Sequence, residues 1–111
     1  MGRKISIATL LTVPAGTEGE ETLYAVAEAK LFHVESVRIQ FPSGCDFALQ
    51  IRLLVGIHQI APTVGFYSAD GGAVEDEIDY TAGSGSVIKV AYKNTGSSDL
   101  KALILLRGEL L

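Results

Sequence analysis

The sequence predicts an all-β protein: an antiparallel two-sheet β-sandwich, jelly-roll-like, of about eight strands. Three observations carry this. The first is the stretch Phe47-Ala48-Leu49-Gln50-Ile51-Arg52-Leu53-Leu54-Val55, in which Phe47, Leu49, Ile51, Leu53 and Val55 share one parity while Gln50 and Arg52 take the other. A half-buried strand needs this period of two, because successive side chains leave opposite faces of a pleated backbone. The second is the recurrence of similar short segments between turn residues, with almost no helical pattern. The third is one long irregular excursion, Thr63 to Ala73, which suits a jelly roll.

In chain order, Ile5, Ile7, Leu11 and Val13 share a parity and define a first strand, with Leu10 off that parity. Pro14-Ala15-Gly16 stops it. Thr17 to Glu21 is polar and acidic and is expected to be a solvated loop. Thr22 to Val26 reads as a second strand, preferred over one helical turn at Ala25–Lys30 because so short a helix is unstable. Leu31 to Phe41 is a third strand. Val37, Ile39 and Phe41 alternate cleanly, and a bulge at Glu35-Ser36 brings Phe32 and Val34 inward. Without the bulge, His33 and Glu35 would face the core, at a high desolvation cost.

Pro42 to Asp46 is expected to be a hairpin turn into the central strand. Ile57 to Ile60 forms a short strand closed by Ala61-Pro62. Val74, Ile78 and Tyr80 alternate with Glu75, Glu77 and Asp79, giving a strand with one acidic face. Gly83-Ser84-Gly85-Ser86 is a turn, and Val87 to Lys93 places Ile88, Val90 and Tyr92 inward. Asn94 to Ser98 turns the chain again. Leu100 to Arg107 closes it, and Leu103-Ile104-Leu105-Leu106 is apolar on both faces. This last strand is either central and covered on both sides or part of a subunit interface.

Composition narrows the function classes. The chain has 111 residues, 48% of them hydrophobic, which suits one domain over 1–111 with a core that needs no staples. A net charge of −4 opposes binding to a nucleic-acid backbone. The single Cys45, expected in a turn, gives no internal disulfide and no Cys-based zinc site. No run approaches the ~20 apolar residues of a membrane-spanning helix. Ser6, Thr9 and Thr12 break the N-terminal apolar run, so no signal peptide is expected. Met1-Gly2 with Ser6 matches the loose myristoylation pattern, but a strand begins at once and leaves no free arm. The expected location on these grounds is the cytoplasm.

No catalytic constellation is present, so the chain is not expected to be an enzyme, and no cofactor is implied. His33 and His58 are the only histidines, and no spacing pairs them with a base or metal partner. Asp70, Glu75, Asp76, Glu77 and Asp79 invite a calcium reading. Alternate carboxylates on a strand form a row without enclosing an ion, so a solvated face that guards an exposed edge is preferred. Gly83 to Ser86 lacks the Lys and helix of a phosphate loop. Phe66 and Tyr67 could stack on a sugar, but a lid over the end of the core is favoured.

Thr22-Leu23-Tyr24-Ala25-Val26 resembles a segment of small β-sandwich domains in virion proteins of tailed phages and related prokaryotic viruses. Those domains carry Thr-Leu-Tyr-x-Val followed by Pro-Ala-Gly-Lys and a long alternating strand. Here Ala27-Glu28-Ala29-Lys30 follows, and Val13-Pro14-Ala15-Gly16 stands one strand earlier. Gly85-Ser86-Val87-Ile88-Lys89-Val90 with Asn94-Thr95 is similar to their late strand and turn. The resemblance implies an interaction or assembly role as a virion accessory, decoration or tail-associated module, and so the virion as the alternative location.

Two functions therefore compete. One is a non-catalytic structural module that forms a homo-oligomer through Leu10, Leu103 and Leu105 and contacts other virion proteins. The alternative is a carbohydrate-binding module that takes glycans at Phe66, Tyr67 and the acidic face. Both uses fit a jelly roll.

Overall fold

The computed structural model describes residues 2–111. Strands β1 (Arg3–Val13), β8 (Leu100–Leu110), β3 (Phe32–Phe41) and β6 (Gly72–Ala82) form the first sheet, in that spatial order. Strands β2 (Glu18–Ala25), β7 (Val87–Asn94), β4 (Leu49–Val55) and β5 (His58–Ala61) form the second. All pairings are antiparallel. Successive strands change sheets except at the β4–β5 hairpin, which is the jelly-roll layout.

The core lies between the sheets. Val37, Ile39, Phe41, Leu49, Ile51, Leu53, Ile78, Ile88, Val90 and Ile104 are all buried in one cluster. The strand alternation thus translates directly into burial. The β3 bulge is present: register shifts between Val34 and Ser36 against both β6 and β8. It keeps Phe32 and Val34 on the same buried side as Val37 and leaves His33 only partly buried. Phe32 fills the space above Gly108, where an added Cβ would stand 2.5 Å from both the Phe32 ring and the His33 carbonyl oxygen. Only glycine permits that approach.

Three expectations are corrected. Thr17 to Glu21 is not all loop, because β2 begins at Glu18. Its acidic residues occupy an edge strand, where one side of the backbone is paired and the side chains stay in water. Pro42 to Asp46 does not form a hairpin, since β3 and β4 lie in different sheets and the segment crosses between them. Phe47 is not part of the inward row. It precedes β4 at a φ of 60° and is 57% exposed. Cys45 is in the predicted turn region but buried, its thiol donating to the Ala69 carbonyl at 2.8 Å.

Asn94 is the one buried polar side chain among the described residues. Its Nδ2 donates to the Val13 and Ser98 carbonyls (3.1 and 2.8 Å), and its Oδ1 accepts from the Gly96 amide at 2.9 Å. With every polar atom partnered, its burial carries no unpaired group. It locks the end of β1 to the 94–98 turn.

Candidate assembly surface

The outer face of the first sheet is built from the alternate residues of β1, β8, β3 and β6. Register places Ala8 opposite Leu105, and Leu10 opposite Leu103. On the other side of β8, Arg38 stands opposite Leu105 and Gln40 opposite Leu103. Ala8, Leu10, Leu103 and Leu105 therefore form one contiguous apolar patch on the two neighbouring strands. Leu10 is 63% exposed and Leu103 45%, while Leu105 is half-buried. β8 is central in its sheet, yet among the described residues no element covers its outer face. Their partners on β1 are short, and Leu10 itself lies between Ala8 and Thr12. Arg38, Gln40, Lys101 and Arg107 stand around the two leucines of β8, yet Leu10 and Leu103 stay exposed.

Charges frame the patch on one side. Glu75 of β6 pairs with Arg38 at 3.9 Å and with Arg107 at 3.6 Å. Farther along, Lys4 bonds Glu35 and lies 4.0 Å from Glu109. The hydrogen bond to Glu35 raises the Lys4 pKa. These pairs are solvent-exposed and contribute little stability. They do neutralise the rim, so burial of the patch would strand few unpaired charges.

The other sequence candidates are dispersed. Tyr67 is buried, and its backbone bridges Ile51 through bonds of 3.0 and 2.7 Å. Its hydroxyl donates to Asp76 at 2.7 Å. Burial first, then this bond and the Asp76 charge, push the phenol well above its usual range. Tyr67 is thus the lid residue of the excursion, while Phe66 beside it is 47% exposed. The two aromatics do not form a shared stacking platform.

The carboxylates are also apportioned singly. Asp70 accepts from the Asp46 amide, Glu75 holds two arginines, Asp76 holds Tyr67, and Asp79 meets His33 Nε2 at 2.5 Å. Among the described residues no three such side chains converge on a common point. His58 packs against Tyr80, with ring centroids 5.8 Å apart, so it does not share the His33 site. The sequence missed Asn94 and the buried thiol, because both sit in segments that pattern alone reads as turns.

No family model and no curated protein matches the chain. Solved structures do. A chain in the acidic stable capsid of Helicobacter pylori bacteriophage KHP30 is similar with a TM-score of 0.60 and 16% identity, covering 98% of this chain and 93% of that one. A chain of Sulfolobus Turreted Icosahedral Virus is similar at 0.61 and 14%, covering 97% of this chain, which spans only 29% of that one. A chain of the cyanophage Pam1 capsid gives 0.57 and 10%, with coverages of 97% and 85%. At these identities the shared property is the jelly-roll fold.

Proposed function

We propose that this chain is a non-catalytic structural component of a virion, acting as one sandwich unit that assembles with copies of itself. The observation that carries the reading is the uncovered patch of Leu10, Leu103 and Leu105 on a central strand pair. Leaving such leucines in water forfeits ~1.5–3 kcal/mol each relative to full burial. Closed symmetric association recovers part of that on every copy. The near full-length likeness to chains of two phage capsids supports the virion as the setting. Decoration of a capsid is favoured over a tail role, since two of the similar chains come from phage capsid structures. Other virion proteins are the expected further partners. Glycans are not, because Tyr67 is committed to Asp76 and the core.

The test is quantitative mass spectrometry of particles purified by density from the source of this chain. The expected result is many copies of the chain per particle. Its absence from purified particles would remove the virion assignment.

A further inference from the structure

Each sandwich edge exposes backbone N–H and C=O groups that can template another strand, and folded proteins normally guard them. Three of the four edges here are guarded. β6 carries the exposed row Glu75, Glu77 and Asp79. β2 carries exposed Glu18, Glu20 and Glu21, and its register breaks between Thr22 and Tyr24. β5 is only four residues long.

β1 has none of these devices. It runs for 11 residues in unbroken register with β8 and contains no proline. Its only charges are Arg3 and Lys4 at one end, and Lys4 is turned onto Glu35 of β3 and Glu109 of β8. Among the described residues, the backbone hydrogen bonds of residues 3–12 all run to β8. Alternate backbone groups from Ser6 to Thr12 therefore face solvent along an edge of small, β-branched and leucine side chains. β-strand propensity is high there, so the strand is held extended without help from a second neighbour.

We infer that β1 pairs edge to edge, antiparallel, with β1 of a second copy of this chain, joining two first sheets into one eight-stranded sheet. This rests on the self-assembly proposed above but uses a different surface, the backbone edge in place of the leucine face. The sequence of β1 selects the partner and the direction. Full overlap of residues 3–13 centres the two-fold axis on Ala8, which then meets itself. Ile5 meets Leu11, Ser6 meets Leu10, Ile7 meets Thr9, and Lys4 meets Thr12. Apolar residues thus face apolar or neutral ones on both sides of the sheet. The Arg3-Lys4 pairs are carried to opposite ends, whereas parallel pairing would set four cations side by side. A two-fold pair consumes the edge once and cannot grow into a fibre through it. It also brings the two leucine patches onto one continuous outer face.

The test is residue-resolved amide hydrogen exchange of the wild-type protein at concentrations where it is associated, with solution molar mass of the Leu103→Glu/Leu105→Glu variant alongside. A lone edge strand protects alternate amides only, because successive N–H groups point to opposite sides. Edge pairing predicts that every amide from Ile5 to Thr12 is protected, and that the leucine variant still runs as a two-chain species. Alternating protection in an associated wild type would overturn the edge contact while leaving face-mediated assembly standing. A wild type that is monomeric throughout would overturn both.

Discussion

The outer faces of the two sheets share one pleat and one core but end differently. On the second sheet, Leu54 stands opposite Lys89 of β7 and Gln59 of β5, and Ala91 stands opposite Arg52 and Glu20. Both Leu54 and Ala91 are buried, at 8% and 7% exposure, beneath those long stems. On the first sheet, Leu10 and Leu103 stand opposite each other, with Ala8, Thr12, Gln40, Lys101 and Leu105 for neighbours. They stay open. The difference is therefore not that one face has apolar residues and the other lacks them. One face covers its apolar residues with its own aliphatic stems, and the other leaves them for another molecule.

The largest effect that sharpens this comparison is on association. Leu103→Glu with Leu105→Glu is expected to reduce the solution molar mass at least two-fold, or to render the protein insoluble. The matched change on the second face, Arg52→Ala with Lys89→Ala, is expected to leave it unchanged. Equal losses from both changes would erase the distinction.

Inside, the two sheets should behave alike. Ile51→Ala in the second sheet and Ile104→Ala in the first each remove a fully buried side chain. Each is expected to cost ~2–5 kcal/mol in denaturant unfolding, through lost burial and a cavity. A cost below about 1 kcal/mol at either would show that this sheet does not carry the shared core.

Tyr67→Phe should cost about 1–2 kcal/mol at neutral pH, from the lost bond to Asp76. Its folded pKa is raised, so the neutral phenol is favoured in the folded state. That contribution is full below the ordinary tyrosine pKa of about 10 and is lost as pH rises above it. The gap in stability between wild type and Tyr67→Phe should therefore narrow in alkaline titration. A gap that widens would contradict the Asp76 contact. The smallest effect is at Cys45, which lies on neither face. Cys45→Ser keeps a donor for the Ala69 carbonyl and is expected to cost ~1 kcal/mol with association intact. Loss of association in this variant would implicate the thiol in subunit contact.

Much of this was legible in the residues. Alternation placed Ile39, Ile51, Val90 and Ile104 in the core, and the cost of burying His33 with Glu35 required the β3 bulge. Less legible were features set by tertiary pairing. Glu18 to Glu21 form strand because β7 offers them partners, which local polarity conceals. The sheet change after Phe41 hides in a Pro-Ser-Gly turn that would serve a hairpin equally well. For the last strand, sequence left open whether Leu103 and Leu105 are covered. Their outward face is visible only once β8 is seen between β1 and β3 with none of the described residues above it. Asn94 gave no signal, since a turn asparagine and a buried one look the same in sequence.

The most direct test of the central claim, that the first sheet's outer face carries self-assembly, is light scattering after size exclusion. It is run on wild type and on Leu103→Glu/Leu105→Glu at micromolar concentration. With the face and the β1 edge both paired, wild type is predicted to elute at four or more times the chain mass, and the variant at twice the chain mass, as the edge-paired species. A monomeric wild type, or a soluble variant with the same multiple as wild type, would contradict the account.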